Sequence, residues 1–474
     1  MKTYNSLSTL LTICVAGMPP AALTQQPPDP VQSDGFQNTA VGSYALQNLT
    51  PGTPDYGGIE NTAVGYNSMY SNTTGGGNVS MGFLSMEFNQ AGHNNTAIGD
   101  EALQYNNTGY YNTAYGSGAV HENRSAFYNT GIGLNAIWSN NTGADNTALG
   151  AWALYGTGTV STENTALGFK SLYSSGSGGY NTATGSQSLF TNTNGYNNTA
   201  SGFQAMYFNT IGNHNTVNGY QALYSNTNGN SNTVAGDMAM HLSTTGYHNT
   251  ATGTQSMYSN KTGNGNVALG FEALYSDTSG SENIAVGDGA GHNVSIGSNN
   301  IEIGNAGVAG DNAIIRIGTA NTQTAAYIAG VTSAHISGSP VYITSSGQLG
   351  VLASSERYKT AVTSMGAATN RLDELRPVTF HLKSDPHGLI QYGLIAEEVA
   401  AVYPELVIRD EAGVIQGVRY DELAPMLLNE IQRLRAAEKE RDAAFETRLT
   451  ALSEQLVAMR ATVASGLVAQ VGAP

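Results

Sequence analysis

Two side chains in the C-terminal part of the chain have the types and the spacing for nucleophilic chemistry. Ser354 is followed five residues later by Lys359. A serine hydroxyl becomes a nucleophile when a neighbouring base takes its proton, and a lysine can be that base if burial or a nearby cation lowers its pKa. A serine and a lysine at this spacing are commonplace, so the pair gains meaning only from the segment around it.

That segment contains several short motifs in a fixed order. They are Gly347-Gln-Leu-Gly-Val-Leu-Ala-Ser-Ser-Glu-Arg-Tyr-Lys359, Leu375-Arg-Pro-Val-Thr-Phe380, Tyr392-Gly-Leu-Ile-Ala-Glu-Glu-Val399, Pro404-Glu-Leu-Val407 and Val418-Arg-Tyr420. Together they resemble the intramolecular chaperone domain of phage tail spikes and endosialidases, the peptidase S74 family.

The resemblance implies a domain that assembles a trimer and then cleaves itself. It implies that Ser354 is the nucleophile, that Lys359 is the general base, and that the cut falls between Ala353 and Ser354. The family often has Asp after the serine, whereas this chain has Ser355, so the choice between the two serines stays open.

Two acidic residues and the absence of other motifs complete the expected chemistry. Glu397 and Glu398 match the family's acidic position after Ile-Ala and are expected to support the dyad. The nine histidines are scattered, and no catalytic triad or zinc-ligand spacing occurs. We therefore expect no metal, no cofactor and no activity on external substrates.

The body of the chain is a repeat. The pattern Asn-Thr-Ala-x-Gly occurs fifteen times with variations between Asn38 and Asn283, mostly at a step of 17 residues. An aliphatic residue stands eight positions after fourteen of these fifteen asparagines, and an aromatic residue often follows it. So regular a period indicates that each unit is one supersecondary element stacked on its neighbours.

The unit length favours strands over helices. Seventeen residues are too few for two packed helices, and the Gly, Asn and Thr content disfavours helix. We expect two short strands and two turns in each coil, stacked at about 4.8 Å into a parallel β-roll or β-solenoid. The predicted fold class is therefore mainly β, with a C-terminal α+β chaperone domain and a coiled-coil helix.

The thin coil predicts a homotrimer. One aliphatic residue and one small Ala per unit make a poor core against an ordering cost of about 1–2 kcal/mol per residue. We therefore expect several chains to share the stacked column of aliphatic residues, here called the apolar spine. Residues 38–291 also resemble the head repeats of trimeric autotransporter adhesins, which form a left-handed parallel β-roll from three chains.

The C-terminal segment has apolar residues at steps of three or four. A seam of this kind predicts a three-stranded coiled coil, with a register shift where Glu438 and Arg441 interrupt it. The alternative is a single amphipathic helix that packs on its own domain. The seam residues are Leu427, Ile431, Leu434, Phe445, Leu449, Leu452, Leu456, Met459 and Val463.

Charge and hydropathy limit the partners and the location. A net charge of −16 with only 11% charged residues argues against nucleic acid and anionic membranes as partners. Residues 1–24, with Lys2 before an apolar run, read as an export signal. No later segment has the ~18 apolar residues of a spanning helix. We expect an exported protein at the cell surface or outside the cell.

The aromatic column allows two interpretations. Tyr207, Tyr224 and Tyr258 are candidates for stacking on a surface glycan or receptor. Alternatively, the rings stack on one another and close the coil.

The complete interpretation is an exported trimeric fibre or adhesin-like protein whose C-terminal domain drives assembly and then cuts itself off. The alternatives are a phage-derived tail fibre and a glycan-binding adhesin with an uncleaved assembly domain. The expected divisions are a signal peptide (1–24), a linker (25–37), the solenoid (38–291), a β-rich neck (292–352), the chaperone domain (353–430), the coiled-coil helix (431–465) and a tail (466–474).

Overall fold

The structure is a computed structural model that describes residues 32–50, 57–156, 161–328, 340–344, 347–410 and 412–471. The chain divides into two units, one ending at residue 326 and one beginning at residue 327. The expected export signal and most of the linker lie outside the described residues.

The first unit is built on one sheet of eighteen short strands. Strand β1 is antiparallel to β2, and each strand from β2 onward pairs in parallel with the next strand in the chain. The predicted parallel β-solenoid is therefore confirmed. The strands are β1 Gln32–Ser33, β2 Thr39–Val41, β3 Thr62–Val64, β4 Val79–Met81, β5 Thr96–Ile98, β6 Thr113–Tyr115, β7 Thr130–Ile132, β8 Thr147–Leu149, β9 Thr165–Leu167, β10 Thr182–Thr184, β11 Thr199–Ser201, β12 Thr216–Asn218, β13 Thr233–Ala235, β14 Thr250–Thr252, β15 Val267–Leu269, β16 Ile284–Val286, β17 Ile301–Ile303 and β18 Ile315–Ile317.

The register of the sheet follows the sequence period. Thr199 pairs with Thr216, and Thr216 pairs with Thr233, so equivalent residues lie side by side. The ladder also continues beyond residue 291, because β16 pairs with β17 and β17 pairs with β18. Ile301 is opposite Ile315, so the last coil is shorter than the others.

Each coil of this ladder has one strand, so the predicted second strand is wrong. The segment around the expected second strand forms turns, with Glu101 at φ 55° and Leu103 at φ 51°. A strand requires a strongly negative φ, so these left-handed residues reverse the chain. The turns still bond from coil to coil, as when the Leu103 amide donates to the Ala119 carbonyl at 2.9 Å.

The apolar spine is closed within a single chain. Leu103, Leu154 and Leu223 are fully buried, as is the alanine at the centre of most strands, for example Ala183. The expectation that this spine needs sister chains for its burial is therefore wrong. The left-handed turn folds the aliphatic side chain against its own strand, and the coils above and below cover it. Each such burial contributes about 1.5–3 kcal/mol.

A buried asparagine ladder joins the coils. The Asn198 Oδ1 atom accepts from both the backbone amide and the side-chain amide of Asn215, each at 3.1 Å. The Asn215 side chain also donates to the Gly229 carbonyl at 2.9 Å, which closes its own coil. Asn232 repeats the contact on Asn215. Each buried side-chain amide thus forms a hydrogen bond within its own coil and also bonds to the asparagine of the next coil.

The glycine after each strand is required by close approach between coils. Gly219 has φ +144°, and a Cβ built there would lie 2.2 Å from the carbonyl oxygen of Gly236 in the next coil. A φ in that range is accessible essentially only to glycine. The glycine column therefore allows successive backbones to stack.

The second unit is a small α+β fold followed by a helix of 52 residues. Its core contains Val399, Tyr403, Leu406, Val407 and Met426. None of the described helices is both long and apolar enough to span a membrane. The elements are β19 Tyr342–Ile343, β20 Leu349–Gly350, β21 Val378–Phe380, β22 Gln391–Gly393, α1 Ala396–Val402, β23 Val407–Arg409, β24 Ile415–Val418 and α2 Tyr420–Val471, with 3₁₀ helices Glu356–Tyr358, Gly366–Thr369, Leu372–Glu374 and Pro404–Leu406.

A second buried ladder joins asparagines at another repeat position, where Asn209 donates to Asn192 and Asn226 donates to Asn209. Asp277 occupies this position in a later coil and predicts a pH-dependent stability. Burial raises the pKa of the Asp277 carboxyl to about 6. A raised carboxyl pKa means that stability is greatest below the unfolded value of 3.8 and falls as the pH rises through 6. Asp277→Asn should therefore stabilise the solenoid by roughly 3 kcal/mol at pH 7 and little below pH 4.

Urea unfolding followed by circular dichroism at the two pH values measures this effect. Asp237→Asn, which changes an exposed solenoid carboxylate, is the matched control and should leave the difference unchanged. An equal urea midpoint for Asp277→Asn and the wild type at pH 7 would contradict the prediction.

A second prediction concerns the glycine column. Gly219→Ala should destabilise the solenoid by more than about 2 kcal/mol, because the methyl group meets backbone and the φ is unfavourable. Gly310→Ala is the control, since a Cβ there has no neighbour within 4 Å. Thermal unfolding of both variants decides the point, and equal melting temperatures would refute it.

Candidate functional site

A short 3₁₀ turn brings the serine and the lysine together. The Tyr358 amide donates to the Ser355 carbonyl and the Lys359 amide donates to the Glu356 carbonyl, both at 3.0 Å. As a result, Lys359 Nζ donates to Ser354 Oγ at 3.3 Å. Five extended residues would span about 17 Å, so the turn is what makes the pair possible.

The pair lies in water in the single chain. Ser354 and Lys359 are both exposed. A lysine that donates a hydrogen bond to a hydroxyl positions the oxygen but does not remove its proton. General-base catalysis needs a neutral amine, which burial or a neighbouring cation provides. The geometry of a dyad is therefore present, while the enclosed environment that such a dyad needs is not supplied by one chain.

The two glutamates are not joined to this pair. Both lie in the first turn of α1, and the Glu398 carboxylate accepts two hydrogen bonds from Arg376. These bonds lower the pKa of the Glu398 carboxyl. Within the described residues, neither Glu397 nor Glu398 forms a hydrogen bond or ion pair with the dyad. The structure thus brings Ser354 and Lys359 together and does not join the two glutamates that were predicted to support them.

Polar contacts attach the small fold to the start of the long helix. Thr369 Oγ1 donates to Glu430 at 2.8 Å, and the Asn429 side chain donates to Thr369 at 2.7 Å. The Tyr420 hydroxyl accepts from the Leu394 amide at 2.8 Å. The helix and the segment that follows the dyad are therefore parts of one folded unit.

Beyond this attachment, the helix presents an uncovered apolar stripe. Leu449, Leu452, Leu456 and Met459 are each more than half exposed. Their spacing places them on one side of the helix.

The tyrosines predicted to bind a glycan belong to a stack of rings. Tyr207 and Tyr224 have ring centroids 5.3 Å apart, and His241 lies between Tyr224 and Tyr258 at 5.0 and 5.4 Å. Neighbouring rings cover the faces of all three tyrosines and leave their edges partly exposed. The stack comprises His121, Trp138, Tyr155, Tyr173, Phe190, Tyr207, Tyr224, His241, Tyr258, Tyr275 and His292.

Sequence reasoning missed the three histidines of this stack. His121, His241 and His292 were treated as scattered, although each stands nine residues after a repeat asparagine, where other coils have an aromatic ring. The repeat position was the signal that could have found them. Within the described residues, no group of three or more His, Cys, Asp or Glu residues is arranged to hold a metal ion.

Comparison with known families identifies the C-terminal domain. Residues 354–408 match the Peptidase S74 family, described as the chaperone of endosialidase. The match is confined to the C-terminal part of the chain, where the sequence motifs predicted it. Neither the curated proteins nor the solved structures that were compared contain a significant match to the chain.

Proposed function

We propose that this protein is an exported, fibre-like homotrimer whose C-terminal domain aligns three chains and then cuts itself off between Ala353 and Ser354. The main support for this proposal is that two observations meet at the same residue. The family match begins at Ser354, and that residue's hydroxyl lies 3.3 Å from Lys359 Nζ. The solenoid is the part of the chain that the cut would leave behind.

The proposed cleavage uses only groups of this chain and water. Ser354 Oγ attacks the carbonyl carbon of Ala353 while Lys359 Nζ takes the hydroxyl proton. The carbon–nitrogen bond breaks, and the proton passes to the departing Ser354 nitrogen. An ester then joins Ala353 to the serine oxygen, and water hydrolyses it. The products are a chain that ends at Ala353 and a fragment that begins at Ser354.

The exposure of the dyad supports a link between cleavage and assembly. In a single chain the lysine is solvated and serves as a hydrogen-bond donor. Packing of three chains around this segment would exclude water and favour the neutral amine. Cleavage would then follow assembly, and unassembled chains would keep their chaperone domain.

The exposed stripe of α2 supports three-chain association. A helix of 52 residues with large apolar side chains on one side is typical of a coiled-coil strand. The proposed coiled coil covers residues 431–465. It would hold three chains in one register while the parallel ladders, which form slowly and expose edges, complete their folding. Removal of the domain would leave the fibre kinetically stable.

The stacked rings do not add a glycan site to this proposal. A sugar ring stacks on an open aromatic face, and the faces of Tyr207, Tyr224 and Tyr258 are covered by their neighbours. The arrangement supports a structural role for the stack.

The first prediction of this proposal concerns the dyad. Wild-type protein should release a fragment of residues 354–474, visible on a denaturing gel and confirmed by N-terminal sequencing. Ser354→Ala and Lys359→Ala should stay at full length, because each removes one group of the dyad. Ser355→Ala is the matched control and should be cleaved like the wild type.

The outcome separates the parts of the proposal. Cleavage of Ser354→Ala with loss of cleavage in Ser355→Ala would transfer the nucleophile to the neighbouring serine. A wild-type trimer that stays at full length would refute the protease step and leave the assembly step standing.

The second prediction concerns the helix. Leu449→Gln combined with Leu456→Gln should convert trimers to monomers in sedimentation, because both residues belong to the proposed seam. Val457→Gln is the control, since Val457 is 66% exposed but lies beside the seam. Unchanged trimer in the double variant would argue that α2 packs on its own domain.

A further inference from the structure

In the last two strands of the solenoid, the outward side chains are apolar and the inward side chain is charged, which is the reverse of the pattern in a body strand such as β10. In β10 (Thr182–Thr184) the outward residues are threonines and the inward residue is the buried Ala183. In β17 the outward residues are Ile301 and Ile303, while the inward residue is Glu302. Because the side-chain period of a strand is two, the register decides which set faces solvent. The pairing register between β16 and β17 shows no slip, so the inversion belongs to the sequence.

The charged residues of the last two coils lie close together, although both carboxylate oxygens of Glu302 lack a hydrogen-bond partner among the described residues. Arg316 in β18 is opposite Glu302 in β17, and its guanidinium donates two hydrogen bonds of 2.7 Å to Asp311. Glu302 is fully buried, with its Oε1 atom 3.9 Å from Arg316. Burial and the Asp311 charge raise the pKa of the Glu302 carboxyl to about 7. Glu302 and Arg316 occupy the inward positions of β17 and β18, where the body strands have a buried small residue.

The outward residues of β15–β18 form an aliphatic surface, here called the terminal face. The first residue of each strand, which is threonine in every strand from β5 to β14, becomes Val267, Ile284, Ile301 and Ile315. Val267, Ile284 and Ile315 are 37%, 39% and 66% exposed, and Ile301 is half-buried.

The third residue of each of these strands is aliphatic as well. Leu269, Val286, Ile303 and Ile317 occupy this position, and Ile317 is 74% exposed. By contrast, β10–β14 have Thr, Ser, Asn or Ala there, and β2–β9 combine an apolar third residue with a threonine at the first position in every strand except β4, which has Val79. No charged side chain occupies either outward column of the terminal face. A contiguous apolar surface of this kind marks an interaction site, since isolated apolar residues alone would need no explanation.

We propose that the terminal face packs against the same face of sister chains and forms the contact between solenoids. The inverted polarity then has a physical reason, because the isoleucines are buried between chains while Arg316 and Asp311 form an ion pair within each chain. The outward positions carry no charge that would require a partner of opposite charge. Aliphatic side chains need no directional partner, so three identical faces can meet around a symmetry axis.

The choice of a sister chain as the occupant rests on the proposed function. If the chaperone domain and α2 hold three chains together, each terminal face has two copies of itself at an effective concentration near the millimolar range. The face also ends at Ile317, shortly before the segment that leads to Ser354. A free partner would have to compete with these tethered copies.

Chemical cross-linking of the full-length chain tests the contact. The single native cysteine is removed by Cys14→Ala, and Ile303→Cys is introduced into the terminal face. A bismaleimide with a short flexible spacer should then link chains, giving at least about tenfold more linked product than Thr184→Cys, because proximity sets the rate. Thr184 is the matched control, since it is the equivalent outward residue of β10.

The possible outcomes distinguish this inference from the proposed function. Trimeric protein with strong linking through Ile303→Cys and weak linking through Thr184→Cys supports the contact. Trimeric protein with equal or no linking at the two positions overturns the contact and leaves the proposed function intact. Monomeric wild-type protein in sedimentation overturns both. Circular dichroism of each variant verifies that the cysteine leaves the solenoid folded.

Discussion

The solenoid depends on buried amide groups that belong to two coils at once. Asn215 closes its own coil through the Gly229 carbonyl and is held by Asn198 in the coil before it. A coil without its neighbour would leave this amide unsatisfied in a buried site, at a cost of about 1–3 kcal/mol. The same stacking requires Gly219, where any side chain would meet the next backbone. Stability is therefore a property of adjacent coils, as in other repeat proteins.

Burial of the aliphatic column within one chain removes the reason for which the sequence predicted a trimer. The asparagine ladder and the left-handed turns bury the aliphatic column inside one chain, so its burial does not require a second chain. Large apolar side chains are exposed along the body of the solenoid, for example Met81 and Leu149, and also toward the C-terminus of each unit. Ile303, Ile315 and Ile317 are exposed at the end of the solenoid, and Leu449 and its neighbours are exposed along α2. Association of the chains would bury the surface at the end of the solenoid and the stripe along α2.

The candidate dyad fits the same logic. The 3₁₀ turn Glu356–Tyr358 gives Ser354 and Lys359 their spacing without help from any other element. The turn cannot exclude water, and neither glutamate of α1 reaches the pair. The local sequence thus fixes the distance between Ser354 and Lys359. The exclusion of water that would let Lys359 act as a base would require another protein surface to cover the pair.

The sequence by itself determined the parallel stack, its period, the buried aliphatic column and the identity of the C-terminal domain. These features repeat or occur in ordered motifs, so local pattern is enough to find them. Only the tertiary structure decided that Leu103 lies in a left-handed turn instead of a second strand, and that one chain buries it. It also placed His241 in the ring stack and turned Glu302 inward. The physical reason is that burial depends on how the turns fold each coil back onto its neighbours, and a residue's period reveals its column but not the direction of its side chain.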